Sequence, residues 1–148
     1  VFADRPFADK PISIPVVNPE RTFLEKIFLL HEEFQKPQDK IRVERLSRHL
    51  YDIEKLSQTE YAKIALQGTE LYNAIIRHRA NFPPISGIDY ANHSPDKINF
   101  IPPDTILKDW KQDYEIMTQT MIYDNPLPFD ELIKRLTELQ KRINNKNV

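Results

Sequence analysis

The chain has 148 residues, the size of one ordinary domain and long enough to bury a core without covalent staples. It contains no cysteine, which excludes a disulfide scaffold, a thiolate zinc site and a cysteine nucleophile, and fits a cytoplasmic compartment. Lys plus Arg number 21 against 22 Asp plus Glu, a formal net charge of −1, so no global field draws the chain to nucleic acid or to a membrane. No apolar run approaches the roughly 18 residues of a membrane span, and no signal-peptide pattern opens the sequence.

Two glycines against twelve prolines favour helices punctuated by proline, because proline breaks helix interiors and here falls between the periodic segments. Residues 1–10 read as a loop and residues 12–17 as a strand. A lone strand leaves its ladder groups unpaired. It therefore either docks on the helices or belongs to a sheet whose other strands lie elsewhere, and the second reading is favoured. Asn18 is a good N-cap and Pro19 suits the first helical position. The helix that follows carries Phe23, Leu24, Ile27, Leu30 and Phe34 as one stripe, up to Pro37. A second helix is expected over about residues 40–56, with Val43, Leu46, Leu50 and Ile53 on its apolar face. Ser57 followed by Glu60 has the form of a capping box, opening a third helix that Gly68 closes. A fourth runs over about residues 69–79.

Residues 80–102 lose the helical period and read as a long crossover packed by its own apolar side chains, Ile98 and Phe100 among them. Pro103 and Asp104 start a fifth helix with Trp110 and Tyr114 on its inner side, and Asp113 reads as making a buried hydrogen bond. A sixth helix covers about residues 129–144, with Leu132, Ile133, Leu136 and Ile143 facing inward. The expected fold is mainly α, about six helices in an irregular bundle. Residues 1–18 form a loop and the last strand of a sheet, and residues 19–148 form the helical domain.

On a continuous second helix, Ile41, Arg45, Arg48 and Asp52 would share a strip opposite the apolar face, with His49 at its border. Such a strip is either a solvated, salt-bridged surface worth about 0.3–0.5 kcal/mol, or a face turned toward a phosphate-bearing substrate, whose geometry arginine forks match. On the first helix Thr22, Lys26 and Glu33 edge the polar face beside Glu25. Lys26 is either a snorkelling lysine or a contact for a nucleotide triphosphate. The four histidines form no ligand pattern, so no metal site is assigned, and His31 falls on the buried stripe. There is no P-loop, G-x-G-x-x-G or G-x-S-x-G motif.

The segment PERTFLEKIFLLHEEF followed by RVERLSRHLYDIEKL resembles the central part of the AbiEii/AbiGii-type nucleotidyltransferase toxins. Their pattern is P-x-R-T-x-x-E-K-x-x-x-L-H and then R-x-S-R-H-x-Y-D. The later stretches DYANHSPDKINFIPP and DWKQDYEIMTQTMIYDNPLPFDEL resemble the family's C-terminal pattern. The resemblance implies an enzyme of the polymerase-β-like superfamily that uses magnesium and an NTP to transfer a nucleotide to an acceptor, RNA included. It also implies a toxin paired with an antitoxin in a toxin–antitoxin or abortive-infection system. By motif, Lys26 matches the lysine on the nucleotide phosphates, Asp52 matches a catalytic aspartate, and Arg45 and Arg48 would hold phosphate nearby.

The superfamily's metal site needs a Gly-Ser turn followed by D-x-D, since two carboxylates hold the magnesium ions. Neither pattern occurs in the chain. The expectation is therefore the C-terminal helical part of such an enzyme, inactive and without ligand on its own, with residues 12–17 as the sheet's last strand. Two alternatives stand beside it, a non-catalytic helical module that binds a partner protein and a helical RNA-binding domain. The first predicts an exposed apolar patch. The enzyme reading instead predicts Lys26, Arg45, Arg48 and Asp52 turned into one groove.

Overall fold

The structure, a computed structural model, describes residues 18–81, 87–120 and 125–145. Among these are six α-helices, α1 (Pro19–Glu33), α2 (Ser47–Ser57), α3 (Glu60–Gln67), α4 (Thr69–Asn81), α5 (Leu107–Thr118) and α6 (Phe129–Asn144), with short 3-10 turns at Gln38–Lys40, Tyr90–His93 and Asp104–Ile106. The mainly helical reading holds, and no strand occurs among the described residues. The expected strand at residues 12–17 lies outside them.

Helix α1 starts where the sequence indicates. The Asn18 side chain accepts the Arg21 backbone N–H at 3.0 Å, and Pro19 follows at the first turn. Its stripe of Phe23, Leu24, Ile27, Phe28 and Leu30 is essentially inaccessible to solvent. Helices α2, α3 and α4 all pack on α1, while α2 also contacts α5 and α6. A helix surrounded in this way must bury polar residues as well. His31, Glu32 and Glu33 are each no more than 3% exposed, and each is satisfied by a specific partner, as burial of such groups requires.

Helix α2 departs from the expected start near residue 40. Residues 41–46 are not helical, and Arg45 takes a left-handed φ of 65°. The cause lies in two distant carboxylates. Glu33 accepts the Arg42 N–H at 2.8 Å together with its guanidinium Nε at 3.1 Å. Asp113 on α5 accepts the Arg45 N–H at 2.9 Å and the Ser47 N–H at 3.3 Å, and also bonds the Ser47 hydroxyl. Asp113 thus caps α2 from another helix, a task that Leu46 at the N-cap position does not perform. The strip of Ile41, Arg45, Arg48 and Asp52 is broken, because its first two members precede the helix.

The expected capping box is also rearranged. Ser57 ends α2 and donates its hydroxyl to the Glu54 carbonyl at 2.6 Å, and Thr59 does the same to Leu56 at 2.6 Å. Both hydroxyls serve the outgoing helix rather than the incoming one. Helix α6 spans the expected residues and buries Phe129, Leu132, Leu136, Leu139 and Ile143. In the crossover, Ile98 and Phe100 enter the core, and the Tyr72 hydroxyl donates to the His93 carbonyl at 2.5 Å. Among the described residues no helix is long and apolar enough to cross a membrane.

Candidate functional site: a charged cleft between α1, α2 and α4

Lys26 sits in the middle of α1 and Asp52 in the middle of α2. Where these helices pack, the Lys26 Nζ lies 3.1 Å from the Asp52 Oδ2, with the two side chains 23% and 25% exposed. Asp52, which stands one turn from Arg48 on α2, is therefore held by Lys26. The lysine opens onto a cleft of about 400 Å³ whose walls include Arg21, Glu25 and Leu29 of α1, His49 of α2 and Arg79 near the end of α4. Of the residues singled out in the sequence, Lys26, Thr22, Glu25 and His49 line it. Asp52, Arg45 and Arg48 are not among its walls, so the expected single groove holds only Lys26 of the four; both arginines are exposed, Arg45 ahead of α2 and Arg48 in its first turn. Glu33 turns away to clamp residues 36 and 42.

Arg79 is the residue that sequence reasoning missed. Its Nε and Nη2 each lie 2.7 Å from the Glu32 carboxylate, a bidentate pair, and its Nη1 donates to the Glu25 Oε1 at 2.9 Å. The other oxygen of Glu25 accepts from the Arg21 Nε at 3.2 Å. Burial by itself would raise the Glu32 carboxyl, but the hydrogen bonds from Arg79 and His93 outweigh it and hold the group below its usual value. Arginine in the last turn of a helix ordinarily complements the helix dipole, which is why Arg79 attracts no notice in the sequence. One signal was present: Glu25 and Glu32 stand two turns apart on one face of α1.

Behind Glu32 the polar chain continues into the core. The His93 Nε2 lies 2.8 Å from the Glu32 Oε2, and the imidazole is fully buried. His93 stacks on Tyr90 with ring centroids 4.8 Å apart and meets His31 edge-on at 4.6 Å. The His31 Nδ1 accepts the Asn99 N–H at 2.9 Å, and its Nε2 lies 2.7 Å from the Gln35 side-chain amide. Burial first, and then the neighbouring His93, lower the His31 pKa to about 4. His31 is thus the satisfied core histidine that its place on the stripe suggested. His49 is likewise lowered, by burial and then by the Lys26 charge, so the cleft presents a neutral imidazole at neutral pH.

No group of three or more His, Asp or Glu side chains among the described residues could hold a metal ion, and Asp52 is committed to Lys26. The magnesium implied by the sequence resemblance finds no fitting ligand set here. A second hollow, of about 460 Å³, lies at the α3–α4 corner against Leu66, Tyr72, Pro95 and Ile143. It is largely apolar and shares no lining residue with the charged cleft.

No curated protein and no solved structure matches the chain significantly. The family model described as nucleotidyl transferase AbiEii toxin, type IV toxin–antitoxin system, matches residues 2–135. With that match over most of its length, the chain belongs to the AbiEii nucleotidyltransferase toxins.

Proposed function

We propose that the cleft receives the phosphates of an NTP and that the chain forms the helical part of an enzyme transferring a nucleotide to an acceptor, RNA among the candidate acceptors. The observation that carries this is the Lys26–Asp52 contact at 3.1 Å, opening onto a cleft with two further cations. A partly desolvated ammonium is worth more to a phosphate than a fully hydrated one. Asp52 aims the Lys26 ammonium in the empty cleft; once phosphate engages Lys26, the carboxylate is released to orient or accept a proton from the acceptor hydroxyl. Arg48 and Arg45 are exposed and outside the cleft walls, and this reading gives them to the acceptor's phosphates rather than to the NTP.

In this reading the two metal-binding carboxylates come from a Gly-Ser and D-x-D segment that these residues do not include, and this chain alone transfers nothing. A cognate antitoxin would restrain the toxin. The partner-binding alternative finds less support: the exposed large apolar side chains among the described residues are Tyr61 and Ile64 on α3 and Ile116 on α5, too few for a sizeable apolar patch. Calorimetry of the full-length protein with each magnesium–NTP tests the proposal. Binding that disappears in Lys26→Ala supports it, and an enzyme that ignores every NTP refutes it.

A further inference from the structure

The cations of the cleft are paired with the chain's own carboxylates. Each cation on its walls is already held by a carboxylate: Lys26 by Asp52, and Arg21 and Arg79 by Glu25 between them. The three bridges are not equivalent. Arg79 is 20% exposed and is fixed along its inner edge by Glu32, itself 3% exposed, so its position does not depend on Glu25. Glu25 is 36% exposed and Arg21 42% exposed, so this carboxylate can rotate into solvent at small cost. Its departure leaves free the Arg21 and Arg79 donors that now share its two oxygens, on the walls of a cleft that Lys26 also lines. We propose that Glu25 is a built-in competitor for phosphate: a phosphate group of the substrate displaces its carboxylate and takes both Arg21 and the outer edge of Arg79. This rests on the phosphate-binding reading of the cleft but makes a separate claim, that the cleft is held closed by its own glutamate and that Arg79, rather than Arg45 or Arg48, is the arginine awaiting the phosphate.

The exchange is favourable because phosphate carries more charge than a carboxylate and matches arginine forks at least as well. Inorganic triphosphate is the probe, with binding to the full-length protein measured by calorimetry. Glu25→Gln keeps the side-chain size and removes the competing charge. It is expected to tighten triphosphate binding about fivefold, the equivalent of roughly 1 kcal/mol. Arg21→Gln, an exposed change that leaves the fold intact, is expected to weaken it by a similar factor. Equal or weaker binding in Glu25→Gln overturns the proposal, as does the absence of triphosphate binding in both the wild type and Glu25→Gln. The two claims fail separately. NTP binding lost in Lys26→Ala but untouched by Glu25→Gln keeps the cleft and removes the competitor. Triphosphate binding tightened by Glu25→Gln in a protein that ignores NTPs keeps the competitor and removes the nucleotide.

Discussion

Lowering the pH should destabilise this protein well before its carboxylates are protonated, and His31 is the cause. Its pKa falls from 6.5 to about 4 on folding, because burial strips the ring of water and the neighbouring His93 further disfavours its charge. The native state therefore keeps His31 neutral while the unfolded chain takes up a proton. Stability from this group is complete above the unfolded value, falls as the pH drops from 6.5 toward 4, and levels off below that. The slope approaches about 1.4 kcal/mol per pH unit, so moving from about pH 7.5 to about pH 5 costs about 2 kcal/mol, out of a limit near 3 kcal/mol. The single tryptophan, Trp110, is fully buried against Phe34, so its fluorescence reports urea unfolding at each pH. His49 is shifted the same way and adds to the slope, whereas Glu32 acts only at lower pH. In His31→Asn, which offers an oxygen to the Asn99 N–H but does not titrate, most of the slope should vanish. Equal wild-type stability at both pH values, or a full slope in His31→Asn, would refute the reasoning.

Three further outcomes follow from the polar contacts. Asp113→Ala removes the acceptor for the N–H groups of Arg45 and Ser47 and should lower unfolding free energy by about 2 kcal/mol; urea midpoints measure this, and a loss near zero would mean that α2 is capped otherwise. Arg45→Gly relieves a left-handed φ of 65° and should raise stability by about 0.5–1 kcal/mol, visible as a higher melting temperature. Glu32→Gln leaves Arg79 with a weakened inner partner and should cost about 3 kcal/mol, against about 0.5 kcal/mol for Glu25→Gln at the exposed end of the same chain. Similar losses in the two variants would contradict the distinction between fixed and replaceable carboxylates.

The parts of the fold legible in the sequence are those governed by local chemistry. Helix α1 carries its start in Asn18 and Pro19, and α6 shows an apolar stripe following a proline-rich turn, so both fall where the pattern places them. The start of α2 was not legible, because it is decided by Glu33 and Asp113, whose bonds to residues 42–47 arise only in the folded chain. The same division runs through the cleft. Lys26 and Asp52 could each be singled out from their own helix, but their pairing depends on how α1 crosses α2. The strip that would have recruited Arg45 assumed a continuous helix and dissolves without one. Arg79 escaped notice because its meaning lies in Glu25 and Glu32 on another helix, and nothing at its own position advertises them.

The central claim is that Lys26, on the wall of the cleft, and its ion-pair partner Asp52 serve nucleotide transfer. The most direct measurement is transfer of labelled nucleotide from each NTP to total RNA by the full-length protein, comparing wild type with Lys26→Ala and Asp52→Asn after both variants are shown to unfold cooperatively. The account predicts transfer by the wild type and a loss of at least about a hundredfold in each variant, the scale of a lost proton-transfer or phosphate-holding group. Folded variants that transfer nucleotide as well as the wild type would contradict it.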